Sequence, residues 1–228
     1  DNDLEELGSI YLEGKTLTWH TAQQGAVGRM RPDGLELLID EVKKELGYAP
    51  HAAELIALLR RAYGEQRNVQ DATLCLVHAL FGRFGLVTVV PDSAPLKRLY
   101  IPVMRDELLH QVSHGLVNGT LEKIYAHYKV QANPREINLF YLMDGVRERI
   151  VQEGGQWKVL HTSLTFNAAS LEAELEAHPE RFSPNVILRG MFQESILPNI
   201  AFIGGGGEIA YWLELQQLFA HYKVPYPI

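Results

Sequence analysis

The spacing of hydrophobic residues switches between the period of a strand and that of a helix along the chain. Two short strands are predicted on either side of Glu13-Gly14, which is a turn signal. Hydrophobic positions from 35 to 46 then recur every three or four residues, which predicts a helix that Gly47 can close. Further helices are predicted at about 50–63, 71–84, 103–128, 168–178 and 208–222.

Three short hydrophobic runs predict buried strands: Leu86–Val90, Val186–Leu188 and Asn199–Ile203. We expect these runs to lie in one parallel sheet. Between the first two, the segment 137–160 has the turns and hydrophobic runs of a small meander. Strands that alternate with helices and end in strand–glycine–helix predict an α/β, nucleotide-binding-like core with insertions.

Composition and charge exclude several classes of protein. The 228 residues carry 21 Lys plus Arg and 28 Asp plus Glu, a net charge of −7. This balance disfavours a nucleic-acid partner, which needs a dense basic face. No hydrophobic run is long enough for a membrane span, so no membrane partner is expected. The single cysteine, Cys75, excludes an internal disulfide framework, and a cytoplasmic location is expected.

The glycine run Gly204–Gly207 lies between a predicted strand and a predicted helix. Glycines there leave backbone N–H groups at the start of the helix open to a phosphate or carboxylate. Gly205-x-Gly207-x-x-Ala210 fits the dinucleotide fingerprint only weakly, because no acidic residue follows at the required distance and no P-loop lysine is present. The alternative is a glycine turn that packs helix against strand.

Polar residues flank the predicted strand Val186–Leu188. Asn185 precedes this strand and Arg189 follows it, with Gln193 shortly after. If the strands are parallel, Asn185, Arg189 and the glycine-run backbone face one crevice at the strands' carboxyl ends. The Arg189 guanidinium could hold a carboxylate or a phosphate there in a two-pronged contact.

The helix after the glycine run adds three candidates. Glu208 opens it, where a negative charge complements the helix dipole. Tyr211 is expected to reach the crevice, and Trp212 is expected to pack inward. The alternative for Arg189 is a surface ion pair with Glu194.

The acidic residues Asp1, Asp3 and Glu5 could bind a metal ion or an amine, although such runs are usually solvated.

Glu107, His110 and His114 have a helical spacing that can hold zinc, but among nine histidines this spacing is expected by chance, and no metal is predicted. Cys75 lies on an apolar helical face and is predicted to be buried and inert.

Distinctive segments occur along nearly the whole chain. The most specific are Ser183–Arg189, Gln193-Glu194 and Leu197–Trp212. Others are Asp1–Glu6, Gly25–Gly28, Leu80–Val87 and Arg147–Ile150. In this order the segments resemble the bacillithiol-biosynthesis cysteine-adding enzyme family, BshC. Many members have Arg-Pro-Leu-Tyr-Gln at 189–193 and Gly-Gly-Pro-Gly-Glu at 204–208, and both departures keep the polar positions.

The resemblance implies a Rossmann-like parallel sheet core with helical and small β-meander insertions. The parts would be 1–30, a β arm or connecting segment; 31–133, helical with one core strand at 86–90; 134–182, the meander and a short helix; and 183–228, the strand, glycine loop and helix of the core.

The function implied is a ligase that joins cysteine to glucosaminyl-malate through an amide, the last step of bacillithiol synthesis. Its substrates are these two small molecules, and ATP or another nucleotide is the natural means of activating the cysteine carboxylate. The family's Gly-His-Gln-type segment would precede Asp1 and its coiled coil, with a homodimer contact, would follow Ile228. The chain alone is therefore expected to be a poor catalyst. Two alternatives stay open: a non-catalytic nucleotide- or anion-binding domain, and a helical interaction module built on 103–128.

Overall fold

The computed structural model describes residues 8–124 and 129–228 of the chain. They form two compact units, one of the residues up to Val90 with Met143–Arg147, the other of Pro91–Leu142 with Glu148–Ile228. Among the described helices, none is both long and hydrophobic enough to cross a membrane.

The first unit contains a hairpin and three helices: β1 Ser9–Leu12, β2 Lys15–Thr18, α1 Leu35–Leu46, α2 Ala52–Glu65 and α3 Val69–Phe81. The turn of the hairpin is Glu13-Gly14, as predicted, and both residues have positive φ angles. The helix predicted from position 35 is confirmed, with Gly47 at its C-cap.

The second unit holds most of the chain's remaining elements. Its helices are α4 Ala94–Leu99, α5 Ile101–His110, α6 Val112–Ile124, α7 Ala168–Ala177, α8 Val186–Ile196, α9 Gly206–Glu214 and α10 Gln216–Tyr222. The strands outside the hairpin are β3 Leu139–Met143, β4 Val146–Glu153, β5 Gln156–Val159, β6 Thr165–Phe166 and β7 Phe182–Pro184, with β3 and β4 joined at Met143–Arg147.

The five later strands make one sheet in the order β6-β5-β4-β3-β7. The meander β3–β5 is confirmed, with turns at Asp144-Gly145 and Gly154-Gly155. β7 pairs with β3 in antiparallel register, Leu139 opposite Pro184, and so closes one edge of the sheet. The α/β fold class is therefore confirmed, but the described ladders run antiparallel rather than parallel.

The prediction of three parallel strands is wrong in its placement. Val186–Leu188 lies in the first turn of α8. Leu86–Val90 and Asn199–Ile203 belong to no helix and to no strand of the described sheets. Several of their side chains are strongly exposed, Val87 at 81% and Ile203 at 98%, whereas Phe202 packs on Trp212.

One parallel contact of the expected kind is present near residue 201. The Phe202 N–H donates to the Ile228 carbonyl at 3.1 Å, and the Ile228 N–H donates to the Ile200 carbonyl at 3.1 Å. This pattern is one rung of a parallel ladder, with Ala201 beside Ile228. Along the chain, segment 199–203 is followed by the glycine loop, α9, α10 and Ile228. This is the order of a β–α–β unit whose two strands share a single rung.

Two long predicted helices are each divided. In the helix predicted at 103–128, α5 ends at Gln111, which has a left-handed φ of 54°, and α6 follows. The 208–222 helix is split into α9 and α10 at Leu215.

Helices α8 and α9 approach closely where Gly190 meets Trp212. A Cβ on Gly190 would lie 2.9 Å from the Trp212 ring. The indole cannot retreat easily because it stacks on Phe202 at 4.1 Å and contacts Phe219 at 5.5 Å between ring centroids. Gly190 therefore sets the separation of the two helices that carry Arg189 and Glu208.

Replacement of Gly190 by Ala is expected to lower the free energy of unfolding by about 1–3 kcal/mol, because the overpacking strain exceeds the gain in helix propensity. Gly115→Ala is the matched control: its Cβ would meet nothing within 4 Å. This control should raise stability by about 0.5–1 kcal/mol. Urea unfolding followed by tryptophan fluorescence measures both, and a stabilised Gly190→Ala would contradict this packing.

Candidate functional site

Helix α8 begins at Asn185, which is its N-cap. The Asn185 Oδ1 atom accepts a hydrogen bond from the Ile187 N–H at 2.9 Å and so satisfies one of the helix's unpaired donors. Arg189 follows one turn later and is exposed. A helix start, rather than the end of a strand, therefore places Arg189.

The structure brings Arg189 to the beginning of the glycine loop and α9. Its Nη2 atom donates to Glu208 Oε1 at 3.2 Å and to the Tyr211 hydroxyl oxygen at 3.3 Å. The other Glu208 oxygen, Oε2, accepts from the Gly205 N–H at 3.3 Å. Three side chains and the loop backbone, all predicted as candidates, thus form one cluster on the surface of the second unit.

The surface pair expected as the alternative, Arg189 with Glu194, is not formed. Glu194 is buried, and its oxygens accept hydrogen bonds from the backbone and side-chain N–H groups of Asn199 at 2.7 and 2.9 Å. Its carboxyl group therefore shapes the loop that leads to Asn199–Ile203.

The Arg189–Glu208 pair is exposed, with 64% and 42% of the two side chains accessible. Ion pairs in such surroundings contribute at most about 1 kcal/mol, because water screens them and two long side chains must be ordered. The pair therefore holds the guanidinium beside the loop. An anion that competes for Arg189 needs little free energy to break the pair. An incoming carboxylate or phosphate could displace Glu208 and bind the same donors.

The four glycines of the loop differ in whether packing would tolerate a side chain. A Cβ on Gly204 would lie 2.5 Å from the Phe202 ring, so packing within the chain requires glycine there. A Cβ on Gly205, Gly206 or Gly207 would meet nothing within 4 Å, and none of the three has a positive φ. Neither packing nor backbone conformation requires these three glycines, which leaves the first-turn N–H groups of α9 open to an approaching group.

This difference predicts opposite effects on stability for two substitutions in the loop. Gly204→Ala is expected to lower the free energy of unfolding by about 1–3 kcal/mol, because Phe202 is stacked on Trp212 and cannot move freely. Gly206→Ala is expected to leave stability unchanged or slightly higher, since it adds a better helix former to open space. Melting temperatures of the two variants measure the difference. Equal losses of stability would mean that packing requires glycine at both positions.

Asn185 is tied to a buried polar network behind the cluster. Its side-chain N–H donates to Asn138 Oδ1 at 2.9 Å, and its main-chain N–H donates to the Asn138 carbonyl at 3.0 Å. Asn138 in turn donates from its main chain and side chain to Glu107 Oε1 at 2.7 and 3.0 Å. The Asn185 amide is thus engaged within the protein and positions α8, rather than pointing free toward the cluster.

The buried phenol of Tyr100 supports the same helix. Its hydroxyl donates to the Leu188 carbonyl at 3.3 Å. Burial raises the pKa of Tyr100 well above its ordinary value, and the charges of Tyr222 and Glu107 raise it further. The phenol therefore stays protonated and keeps its donor role throughout the physiological pH range.

The other predicted candidates lie as follows. Gln193 is exposed one turn beyond Arg189, and its amide donates to Glu194 Oε1 at 3.1 Å. Trp212 packs inward, as predicted. Asp1, Asp3 and Glu5 lie outside the described residues.

Glu107 and His114 belong to different helices, α5 and α6, because the chain breaks at Gln111. Glu107 bonds Ser113 and Asn138, while His114 Nε2 lies 3.1 Å from the Asn118 side-chain nitrogen. Cys75 is half-buried rather than buried.

Comparison with known proteins identifies the family of the chain. The family model described as "Bacillithiol biosynthesis BshC, N-terminal Rossmann-like domain" matches residues 1–228. The chain belongs to the BshC family. Its Arg189 cluster and glycine loop lie within the segment that resembles that family most specifically.

Curated relatives from several bacteria carry the name "Putative cysteine ligase BshC". The proteins of Flavobacterium psychrophilum and Flavobacterium johnsoniae are 46% and 44% identical to the whole chain, which covers 43% of each. The Bacillus pumilus protein is 28% identical over 98% of the chain and 44% of its own length. The chain thus spans less than half of these BshC relatives.

Proposed function

We propose that this chain is part of a ligase that joins cysteine to glucosaminyl-malate in the last step of bacillithiol biosynthesis. The observation that carries the proposal is the cluster of Arg189, Glu208 and Tyr211 at the start of the glycine loop. Membership of the BshC family, whose relatives are named as cysteine ligases, supports it. A cytoplasmic location is part of the same proposal, because the substrate thiol must stay reduced.

The chemistry of the substrates fits the donors of the cluster. Glucosaminyl-malate carries two carboxylates, and a guanidinium fork with free helix N–H groups is a strong receptor for such groups. Its amine, in the neutral form, is the nucleophile in amide formation, and a carboxylate such as Glu208 can accept a hydrogen bond from this amine and hold it in place. The Tyr211 hydroxyl, 3.3 Å from Arg189, can bond to a sugar hydroxyl.

Formation of the amide requires an activated cysteine carboxylate, because a carboxylate oxygen is a poor leaving group. We propose that ATP or another nucleotide supplies this activation. The backbone of Gly205–Gly207 suits a phosphate, since no Cβ blocks the first turn of α9 and no fold constraint explains the glycines. Arg189 would balance the phosphate charge there, and Glu208 would be released from its ion pair to face the amine.

The direct test is a mass-spectrometric assay of the full-length protein with cysteine and glucosaminyl-malate, with and without ATP. A product that contains both substrates less one water supports the ligase, and its dependence on ATP supports nucleotide activation. Nucleotide binding without any condensed product would instead support the non-catalytic binding domain, the alternative function.

Arg189→Ala is expected to weaken substrate or transition-state binding by about 2–4 kcal/mol, roughly 30- to 900-fold in kcat/KM, if Arg189 holds an anionic group. Arg98→Ala removes an exposed arginine on α4 and should leave kcat/KM unchanged. Steady-state kinetics on both variants provide the measurement. A loss of about 1 kcal/mol or less for Arg189→Ala would reduce Arg189 to a surface ion pair.

Cys75→Ala is expected to keep full turnover, because the reacting thiol arrives with the substrate and Cys75 lies on α3 in the other unit. The same assay measures this. A hundredfold loss of kcat, about 2.7 kcal/mol of barrier, would mean that Cys75 takes part in the reaction.

A further inference from the structure

The segment 23–31 and the turn between β3 and β4 line a cavity in the first unit. Its volume is about 450 Å³, within the range of about 300–1,000 Å³ that is usual for small-molecule sites. Its described lining residues all belong to the first unit, and the Arg189 cluster is not among them. Gln24, Arg31 and Asp144 in the lining are exposed, so a ligand can enter from solvent.

The two walls of the cavity are held in fixed positions by the fold. Gly25 has a φ of 91°, and a Cβ on it would lie 2.8 Å from main-chain atoms of Gly145 and Val146, so only glycine permits this close approach. The Gln23 side chain secures the same segment: its Nε2 donates to the Arg31 carbonyl at 2.9 Å, and its Oε1 accepts from the Arg31 N–H at 2.8 Å. The cavity is therefore formed before a ligand binds.

Arginine side chains bring positive charge to the lining. Arg29 and Arg31 both line the cavity, and Arg31 is the more exposed of the two. Arg31 pairs with Asp33 at 3.0 Å, and both of these side chains are largely exposed. Such pairs are weak because water screens them, so an incoming carboxylate can replace Asp33. A guanidinium group can then bind both oxygens of that carboxylate.

The lining also contains a carboxylate that has no partner. Asp144 lies in the turn between β3 and β4, and it forms no hydrogen bond or ion pair with residues 8–124 or 129–228. A carboxylate of this kind can receive an ammonium group. Met30 and Met143 add polarizable apolar surface to the same cavity. The cavity thus offers a receptor for an anion, a receptor for a cation and an apolar wall.

We propose that this cavity binds a free α-amino acid with an apolar or thioether side chain. The carboxylate of the amino acid bonds to Arg31, its ammonium group bonds to Asp144, and its side chain packs against the two methionines. A simple anion would leave Asp144 without a partner, and a simple cation would be repelled by the arginines. An α-amino acid carries both charges beside an apolar group and so matches the whole lining. The site does not depend on the proposed ligase activity.

Isothermal titration of the full-length protein with L-methionine and L-leucine tests the site. Both amino acids are expected to bind saturably. L-Methioninamide lacks the carboxylate and N-acetyl-L-methionine lacks the ammonium group, so each analogue should bind at least tenfold more weakly than L-methionine. Arg189→Ala should bind L-methionine as strongly as the parent, because the Arg189 cluster is a different site.

Two variants assign each charge of the ligand to its residue. Asp144→Asn should weaken L-methionine binding at least tenfold, but it should leave N-acetyl-L-methionine binding unchanged or stronger. Arg31→Gln should weaken L-methionine binding at least tenfold, but it should leave L-methioninamide binding unchanged or stronger. Asn suits a turn as well as Asp does, so Asp144→Asn keeps the hairpin. Glu41→Gln changes an exposed carboxyl group on α1 and is the control, with unchanged affinity expected.

Four results would overturn the proposal. They are the absence of saturable binding by both amino acids, analogues that bind as tightly as L-methionine, unchanged affinity in either Asp144→Asn or Arg31→Gln, and loss of binding in Arg189→Ala. The last result would place the amino acid at the glycine loop. Saturable binding with the expected variant pattern supports the site even where the full-length protein forms no condensed product, so the two proposals are tested separately.

Discussion

The placement of Arg189 depends on a carboxyl group buried far from it in the sequence. Glu107 is 1% exposed, and its oxygens accept hydrogen bonds from Ser113 and from both the main chain and side chain of Asn138. Asn138 in turn accepts a hydrogen bond from the side chain of Asn185, the N-cap of α8, and so fixes the position of Asn185. A buried network of this kind is costly when any member is missing, because each unpaired group keeps its desolvation penalty. The start of the helix that carries Arg189 is therefore tightly defined, although the side chain itself is free to exchange partners.

Two further buried glutamates of the second unit accept hydrogen bonds from the backbone, which explains how irregular segments keep one conformation. Glu214 is buried in α9 and accepts from the main-chain N–H groups of Gln131 and Ala132 at 2.7 and 3.1 Å. Glu194 does so for Asn199. Each carboxyl group replaces the partners that a strand or helix would have given the loop backbone. Buried glutamates thus hold two irregular segments of this unit, at 131–132 and at Asn199.

Elements with local signals could be predicted from the sequence, and elements that depend on distant partners could not. The first hairpin and α1 carry their turn and cap residues with them. Val186–Leu188 is predicted as a strand because it is a short hydrophobic run after turn residues. However, Asn185 is a cap residue, and hydrophobic residues recur from there at helical spacing: Ile187, Leu188, Met191 and Phe192. Nothing in the spacing of Glu107, Asn138 and Asn185 indicates that they meet, so the network behind the site could not be foreseen.

The structure brings Arg189 beside the glycine loop for a reason that does not require the predicted sheet. An extended segment, a glycine turn and a helix that returns to lie beside it form a local unit, and the rung between Ala201 and Ile228 shows that this unit is closed. The carboxyl end of the extended segment must then lie at the N-terminus of α9. Gly190 lets α8 pack against that helix, so Arg189 reaches the same point from a helix instead of a strand. Chain order and one close helix contact are therefore sufficient to assemble the site.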